Sequence, residues 1–265
     1  MLSAVPLPEG LPAPLKMFLG IAVENWLRYA LVAGIAWLLA YVIFKKRWWR
    51  RKIIQKAPTG ADVRREMKWS VLTAFIYGLV GVATILAGKV WGWQMYRKIE
   101  SHGWGWFVAS IGIAIVVHDT WFYWTHRLMH HRRLFKLFHR VHHESTNPTP
   151  WAAYSFAPLE AAVQACIFPL LVFTVPMHPL AFFAFMIWQI VFNVLGHTGY
   201  EYFPKWMMSS WLGKVLNTPT NHVQHHEKMR GNYGLYFNVW DRLMGTNHAD
   251  YENRYNEVTR RGDAA

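Results

Sequence analysis

Cysteine is almost absent from this chain. Its 265 residues include one, Cys166, set in an apolar stretch. A disulfide framework is therefore excluded, as are zinc or iron–sulfur sites that need several thiolates. Cys166 itself reads as a small buried hydrophobe. Charge is scarce too: 16% of residues are charged, against about 25% in an ordinary soluble domain. Acids are the scarcer sign, 15 against 28 Lys and Arg, which leaves a net charge of +13. No segment sustains the period-two alternation of a half-buried strand. The opening "MLSAVPLPEGLPAPLK" lacks the basic start and short apolar core of a cleaved signal peptide, and its prolines suggest an irregular lead-in.

What is abundant is apolar surface. Hydrophobic residues make up 53%, with 16 Trp, 16 Phe and 12 Tyr. Five apolar segments stand out: Trp26 to Phe44, Trp69 to Ala87, Trp104 to about Trp124, Ala161 to Val175 and Leu180 to Leu195. Crossing ~30 Å of hydrocarbon takes about 20 helical residues, so the first two can span; the third is interrupted near its end by His118 and Asp119. The last two, split by "PMHP", either span by a thin margin or form a hairpin that dips in and returns. Backbone in lipid must satisfy its own hydrogen bonds, so these segments are expected to be helices. The expected fold class is all-α, a multi-pass membrane protein with about four transmembrane helices.

The positive charge sits between the apolar runs. Lys45 to Lys68 holds ten Lys or Arg against two acids, and "HRLMHHRRLFKLFHR" is basic again. The positive-inside rule puts both on the cytoplasmic side. Counting crossings then brings every histidine-rich stretch to that side. Such a distribution fits a basic membrane face and gives no water-facing groove for nucleic acid, which is not an expected partner.

Fourteen histidines are present, and most are grouped. "HRLMHH" holds His126, His130 and His131; "HRVHHE" holds His139, His142 and His143; "HVQHHE" holds His222, His225 and His226; His197 stands in "GHTGYE". On a helix, residues three and four apart share a face. His139, His142 and His143 would thus form one triangle, and His222, His225 and His226 another. Neutral imidazole is a common metal ligand, and eight histidines in three such sets overfill one ion and suit two. The lone His102, His178 and His248 read as ordinary satisfied polar residues, whereas His118–Asp119 within an apolar run is an intramembrane polar pair of the kind that marks function. "HESTN" and "HEKMR" lack the second histidine of a zinc-protease helix, and the Glu-x-x-His pairs of carboxylate-bridged di-iron bundles are absent. Iron suits a nitrogen-rich site with open positions, and zinc remains open on ligand type.

"DTWFYWTHRLMHH", "HRVHHES", "GHTGY" and "NHVQHHE" together resemble the fatty acid hydroxylase/sterol desaturase superfamily of membrane di-iron oxygenases. The features of its three histidine boxes, His-x3-His and twice His-x2-His-His, all occur here. "TPWAAYSFAPLEA" and "GNYGLYFNVWDRLMGT" look most like the sterol C-5 desaturase (lathosterol oxidase) branch. The resemblance implies two non-haem iron ions, dioxygen as co-substrate, a membrane lipid substrate, and electrons from a small carrier of the cytochrome b5 or ferredoxin kind. It implies a cytoplasmic histidine-rich helical di-metal domain with ligands His126, His130, His139, His142, His143, His222, His225 and His226, plus His197. His131 is expected beside the ligands or on the surface. Four residues after His197, where related hydroxylases can carry a further histidine, stands Glu201, either a carboxylate ligand or an interfacial charge. Asp119, Glu144, Glu227 and Asp241 are candidates to orient the imidazoles, Asp119 foremost. The expected organisation is membrane helices and basic loop over 1–103, a catalytic domain over 104–250 and a polar tail over 251–265. A histidine-rich metal transporter is the competing reading.

Overall fold

The computed structural model describes residues 10–263. Among them there is no strand, only isolated bridges, and four helices are long and apolar enough to cross a membrane. These are α1 (Ala13–Trp37), which runs on as a π-helix over Leu38–Ile43, α2 (Gly60–Trp91), α3 (Gly103–Met129) and, late in the chain, Pro179–His197. Between α3 and that last span lie α4 (Arg140–His143), α5 (Pro158–Ala165) and α6 (Ile167–Thr174). The span Pro179–His197 is therefore α7, followed by α8 (Pro219–Lys228) and α9 (Tyr251–Asp263).

Two spans start earlier than their apolar runs. In α1 the helix begins at Ala13 in sequence that is itself largely apolar, and the polar groups around Trp26 are paired: Arg28 binds Glu24 at 2.8 Å and Asn25 at 2.6 Å. In α2 the start is set by a capping box, in which the Thr59 hydroxyl accepts from the Asp62 N–H and Asp62 accepts from the Thr59 N–H. That box satisfies two of the orphan N–H groups of the first turn. Helices α1 and α2 pack closely at Gly78 and Gly81, where a Cβ would stand 3.0 Å from Ala22 and from Ile21, the close approach that small residues allow between membrane helices. The opposite face of α1, with Leu27, Leu31, Ile35 and Val42, is exposed, and at helical spacing that stripe faces lipid.

The segment Ala161–Val175 is not a single helix. It breaks at Cys166 between α5 and α6, and Cys166 is exposed on the outside of the bundle rather than buried as expected. The arm nevertheless reaches the far end. Gln94 N–H binds the Val172 carbonyl at 2.8 Å, and Tyr96 N–H binds the Met177 carbonyl at 3.1 Å, so the α6–α7 turn meets the α2–α3 loop. The hairpin therefore crosses the bundle.

At the other end the basic loop is knitted to the histidine-bearing segments. Lys52 is fully buried and donates to Asn147 Oδ1 at 2.9 Å, and Ile53 N–H binds the Gly199 carbonyl at 3.0 Å. Gly199 has φ +75°, and a Cβ there would lie 2.8 Å from Lys52 Nζ. Burial pulls the Lys52 ammonium down to about 8. The polar tail forms an amphipathic helix, α9, with Tyr251, Tyr255 and Val258 buried one turn apart and Arg261 donating to the Lys52 carbonyl at 3.0 Å.

Candidate metal centre

The histidines assemble at the end of the bundle that carries the basic loop. His126 and His130 come from the last turn of α3, His139, His142 and His143 from α4 and its cap, His197 from the last residue of α7, and His222, His225 and His226 from α8. They form two groups whose ligand atoms lie within 4.8 Å of one another: His126, His130, His139, His143 and His225; and His142, His197, His222 and His226.

The triangles expected from spacing are split. Within each His-x-x-His-His phrase, the two histidines four apart stay together and the one between them crosses over. His139 and His143 join the first group while His142 joins the second; His222 and His226 join the second while His225 joins the first. The reason is the 100° turn per residue of an α-helix. Neighbours such as His142 and His143 diverge too far to meet one ion, with rings at 87° to each other, but suit two ions side by side. The two phrases thus interlock: His143 Nε2 lies 3.0 Å from His225 Nε2, and the His142 ring centroid 4.6 Å from that of His226.

Outward hydrogen bonds set which nitrogen faces in. His126 Nδ1 lies 2.8 Å from the Tyr233 carbonyl, His225 Nδ1 2.6 Å from that of Gly231, and His197 Nδ1 2.7 Å from that of Asn193. A carbonyl only accepts, so each Nδ1 carries the proton and each neutral ring turns an Nε2 lone pair inward. Inward atoms then crowd together: His222 and His197 at 2.8 Å, His143 and His130 at 3.1 Å. His126 Nε2 and His139 Nε2 are buried with no hydrogen-bond partner. Converging lone pairs repel unless a cation lies between them, and imidazole donors of this kind suit iron as well as zinc. Burial, the largest cause, and neighbouring histidines hold His139, His142, His222, His225 and His226 well below the usual imidazole range, and burial brings His130 to about 4 and His143 to about 3. All are therefore neutral at pH 7, the form that binds metals.

The carboxylates separate into those behind the histidines and those outside. Glu160 of α5, which sequence reasoning missed, accepts from His139 Nδ1 at 2.7 Å, both side chains being buried. Its signal was a lone acid in an otherwise apolar helix. Asp119 touches no imidazole; it accepts from the N–H groups of Tyr236 at 2.7 Å and Phe237 at 3.1 Å. Asp241 accepts from the N–H groups of Tyr233 and Gly234 at 2.8 and 2.7 Å. Both acids thus hold the loop whose carbonyls orient His126 and His225. His118 binds the Tyr236 hydroxyl at 2.8 Å. Glu201 is buried outside both groups and accepts from the Thr220 N–H at 3.1 Å and the Thr220 hydroxyl at 2.7 Å, at the start of α8. Burial pushes its carboxyl up. Glu144 and Glu227 face Arg140 and Arg254 at the surface, and His131 is exposed.

Inward of the clusters lies a narrow cavity bounded by Tyr77, His118, Phe122, Phe156, Gln164 and Gln189, among others. Its floor is in contact with both groups: the Phe122 ring is 5.0 Å from that of His126, and the Phe156 ring 5.2 Å from that of His142.

A family model described as fatty acid hydroxylase matches residues 111–246. A Delta(7)-sterol 5(6)-desaturase of Gibberella zeae is 31% identical over 189 residues, which cover 71% of this chain and 57% of that protein. One from Aspergillus fumigatus is 30% identical over 216 residues, 71% of this chain and 63% of the relative. Lathosterol oxidase of Homo sapiens is 29% identical over 188 residues, 70% and 61% respectively. The chain thus spans less than two thirds of the length of these relatives. No solved structure matches it.

Proposed function

The chain belongs to the fatty acid hydroxylase family, and on that premise we propose that it is an integral-membrane di-iron oxygenase that desaturates or hydroxylates a C–H bond of a sterol-like or fatty acyl lipid. The observation that carries this reading is the pair of adjoining, buried, all-imidazole clusters beneath a cavity inside the bundle. Bound iron would supply the activation of dioxygen and the removal of hydrogen from an unactivated C–H bond.

The chain's own residues do the rest. Nine histidines would hold the ions: His126, His130, His139, His143 and His225 the first, His142, His197, His222 and His226 the second. The carbonyls of Tyr233, Gly231 and Asn193 and the carboxylate of Glu160 take the outward protons and fix ring orientation. Asp119 and Asp241 keep the Tyr233–Phe237 loop in place. Phe122 and Phe156 screen the clusters from above, which excludes water from the reacting C–H bond. The names of the relatives favour a sterol-like substrate. The basic loop Lys45–Lys68 supports a cytoplasmic placement of the clusters by the positive-inside rule, where a small electron-transfer protein would deliver electrons. The clusters sit at one end of the bundle and not along a path through it, which disfavours a metal transporter.

The test is iron analysis of the purified chain together with lipid mass spectrometry of cells with and without the gene. Bound iron and one lipid that gains oxygen or loses two hydrogens are expected. Iron-free protein and an unchanged lipid profile would refute the reading.

A further inference from the structure

The stretches that adjoin the first and last histidine phrases carry oxidisable rings that hold no metal. Tyr123 and Trp124 stand in "DTWFYWTHRLMHH", Tyr233 and Trp240 in "GNYGLYFNVWDRLMGT". Together they run outward from the first cluster. The Tyr233 ring lies 5.1 Å from that of His130 and 5.7 Å from that of His225. Tyr123 is 6.2 Å from Tyr233, Trp240 5.9 Å from Tyr123, and Trp124 5.5 Å from Trp240, all between ring centroids. Trp124 is 43% exposed, so the path ends at the surface. No such path leaves the second cluster. Among the described residues its one aromatic neighbour besides histidine is Phe156, whose ring yields an electron far less readily than a phenol or an indole.

A row of rings is ordinary packing in so aromatic a chain. What sets this row apart is a proton acceptor, because a phenol gives up an electron readily only if its proton can leave with it. Thr246 donates its single hydroxyl proton to Asp241 Oδ1 at 2.7 Å. The 3.0 Å contact between the Tyr123 and Thr246 hydroxyls is therefore a donation from Tyr123, which in turn accepts from Arg127 at 3.1 Å. A buried phenol is thus linked through one hydroxyl to a buried carboxylate.

We propose that Tyr233, Tyr123, Trp240 and Trp124 form an electron-transfer chain that discharges the metal site when dioxygen is activated with no lipid in place. In a desaturation, two of the electrons that reduce dioxygen come from the carrier and two from the lipid. Without the lipid, two soluble thiols supply the missing pair. Each electron enters at Trp124 and passes inward through Trp240, Tyr123 and Tyr233. The Tyr123 proton shifts to the Thr246–Asp241 pair as its electron departs and returns when Trp240 refills it. Dioxygen, two carrier electrons, two thiols and two protons become two waters and one disulfide. The function is protective, since the oxidising equivalents end at the surface instead of in the ligand histidines. It rests on the oxygenase reading and goes beyond it.

The test uses the full-length, iron-loaded protein in detergent micelles without added lipid. It is chemically reduced, exposed to dioxygen and freeze-quenched, with glutathione present or absent. Electron paramagnetic resonance is expected to show a tyrosyl or tryptophanyl radical that ring-deuterated tyrosine or tryptophan narrows and that glutathione removes. Tyr123→Phe keeps the ring and its packing, and Thr246→Val removes the proton relay; each should lose most of that signal at unchanged iron content. Trp124→Phe, at an exposed position where folding is not at stake, should keep the radical but lose it to glutathione several-fold more slowly. Peptide mass spectrometry reads the same path as damage: oxygen is added at Trp124 and Trp240 in wild type, and at the ligand histidines in Tyr123→Phe. The proposal alone is overturned if dioxygen is consumed and no aromatic radical forms, or if radical and damage are the same in wild type and all three variants. Protein that holds no iron, or that leaves dioxygen untouched when reduced, overturns the oxygenase reading and this one together.

Discussion

The five-histidine and four-histidine clusters use the same donor atoms but differ in what stands behind them. The first is backed by the Glu160 carboxylate and by the carbonyls of Tyr233 and Gly231 on a loop that Asp119 and Asp241 anchor. In the second, among the described residues, His197 alone has an outward carbonyl, that of Asn193, while His142 Nδ1 and His226 Nδ1 are buried without partners, as is His143 Nδ1 in the first. A carboxylate partner raises the basicity of its imidazole and holds the ring. The first cluster is thus expected to hold a metal more tightly than the second; α4 and α8 serve both, whereas α3 serves only the first and α7 only the second.

The largest test of that contrast removes a ligand from each side. His142→Ala and His225→Ala should both abolish lipid turnover, and iron content should fall further for whichever cluster the other depends on; full activity in either variant would rule out a two-metal site. Next, Glu160→Gln should weaken iron retention at the first cluster by about 10–100-fold in a chelator-competition assay and leave the second unchanged. A uniform loss at both clusters would erase the difference between them. Asp241→Ala strands the buried N–H groups of Tyr233 and Gly234 and should destabilise the fold by about 2–3 kcal/mol, read as a lowered melting temperature that iron partly restores. Glu201→Gln separates a ligand from a buttress: with its carboxylate at the start of α8, the variant should keep its iron and change stability by about 1 kcal/mol or less, whereas lost iron would make Glu201 a ligand. Smallest of all, Glu227→Gln should stay within about 0.5 kcal/mol of wild type with unchanged iron, since its ion pair with Arg254 is at the surface.

Much of this molecule was legible before folding. The apolar runs foretold the spans because a lipid-crossing segment has to be long, apolar and helical. Their ends were less legible: α2 begins in polar sequence, where the Thr59–Asp62 capping box starts the helix, and α1 begins at Ala13, well before Trp26. The tail over 251–265 read as polar, yet Tyr251, Tyr255 and Val258 recur at helical spacing and bury one face of α9. Cys166 was misplaced because apolar neighbours indicate burial in water, whereas in a membrane the outside of the bundle is apolar too. Asp119 could be flagged as functional, but not for what it holds: its partners Tyr236 and Phe237 lie more than a hundred residues further on.

The sequence by itself pointed to about four spans and to three sets of histidines at i, i+3, i+4 spacing, because helical periodicity and lipid thickness are local constraints; it left open whether the last two apolar runs span, and His197 came from the family resemblance. Only the tertiary structure decided how those histidines divide. One helix turns its donors apart by 100° per residue, so no single phrase can close a site. Two such helices must face each other for His142 to join His222 and His226, and for His225 to join His139 and His143, and what brings them face to face is packing between segments that are distant in the chain.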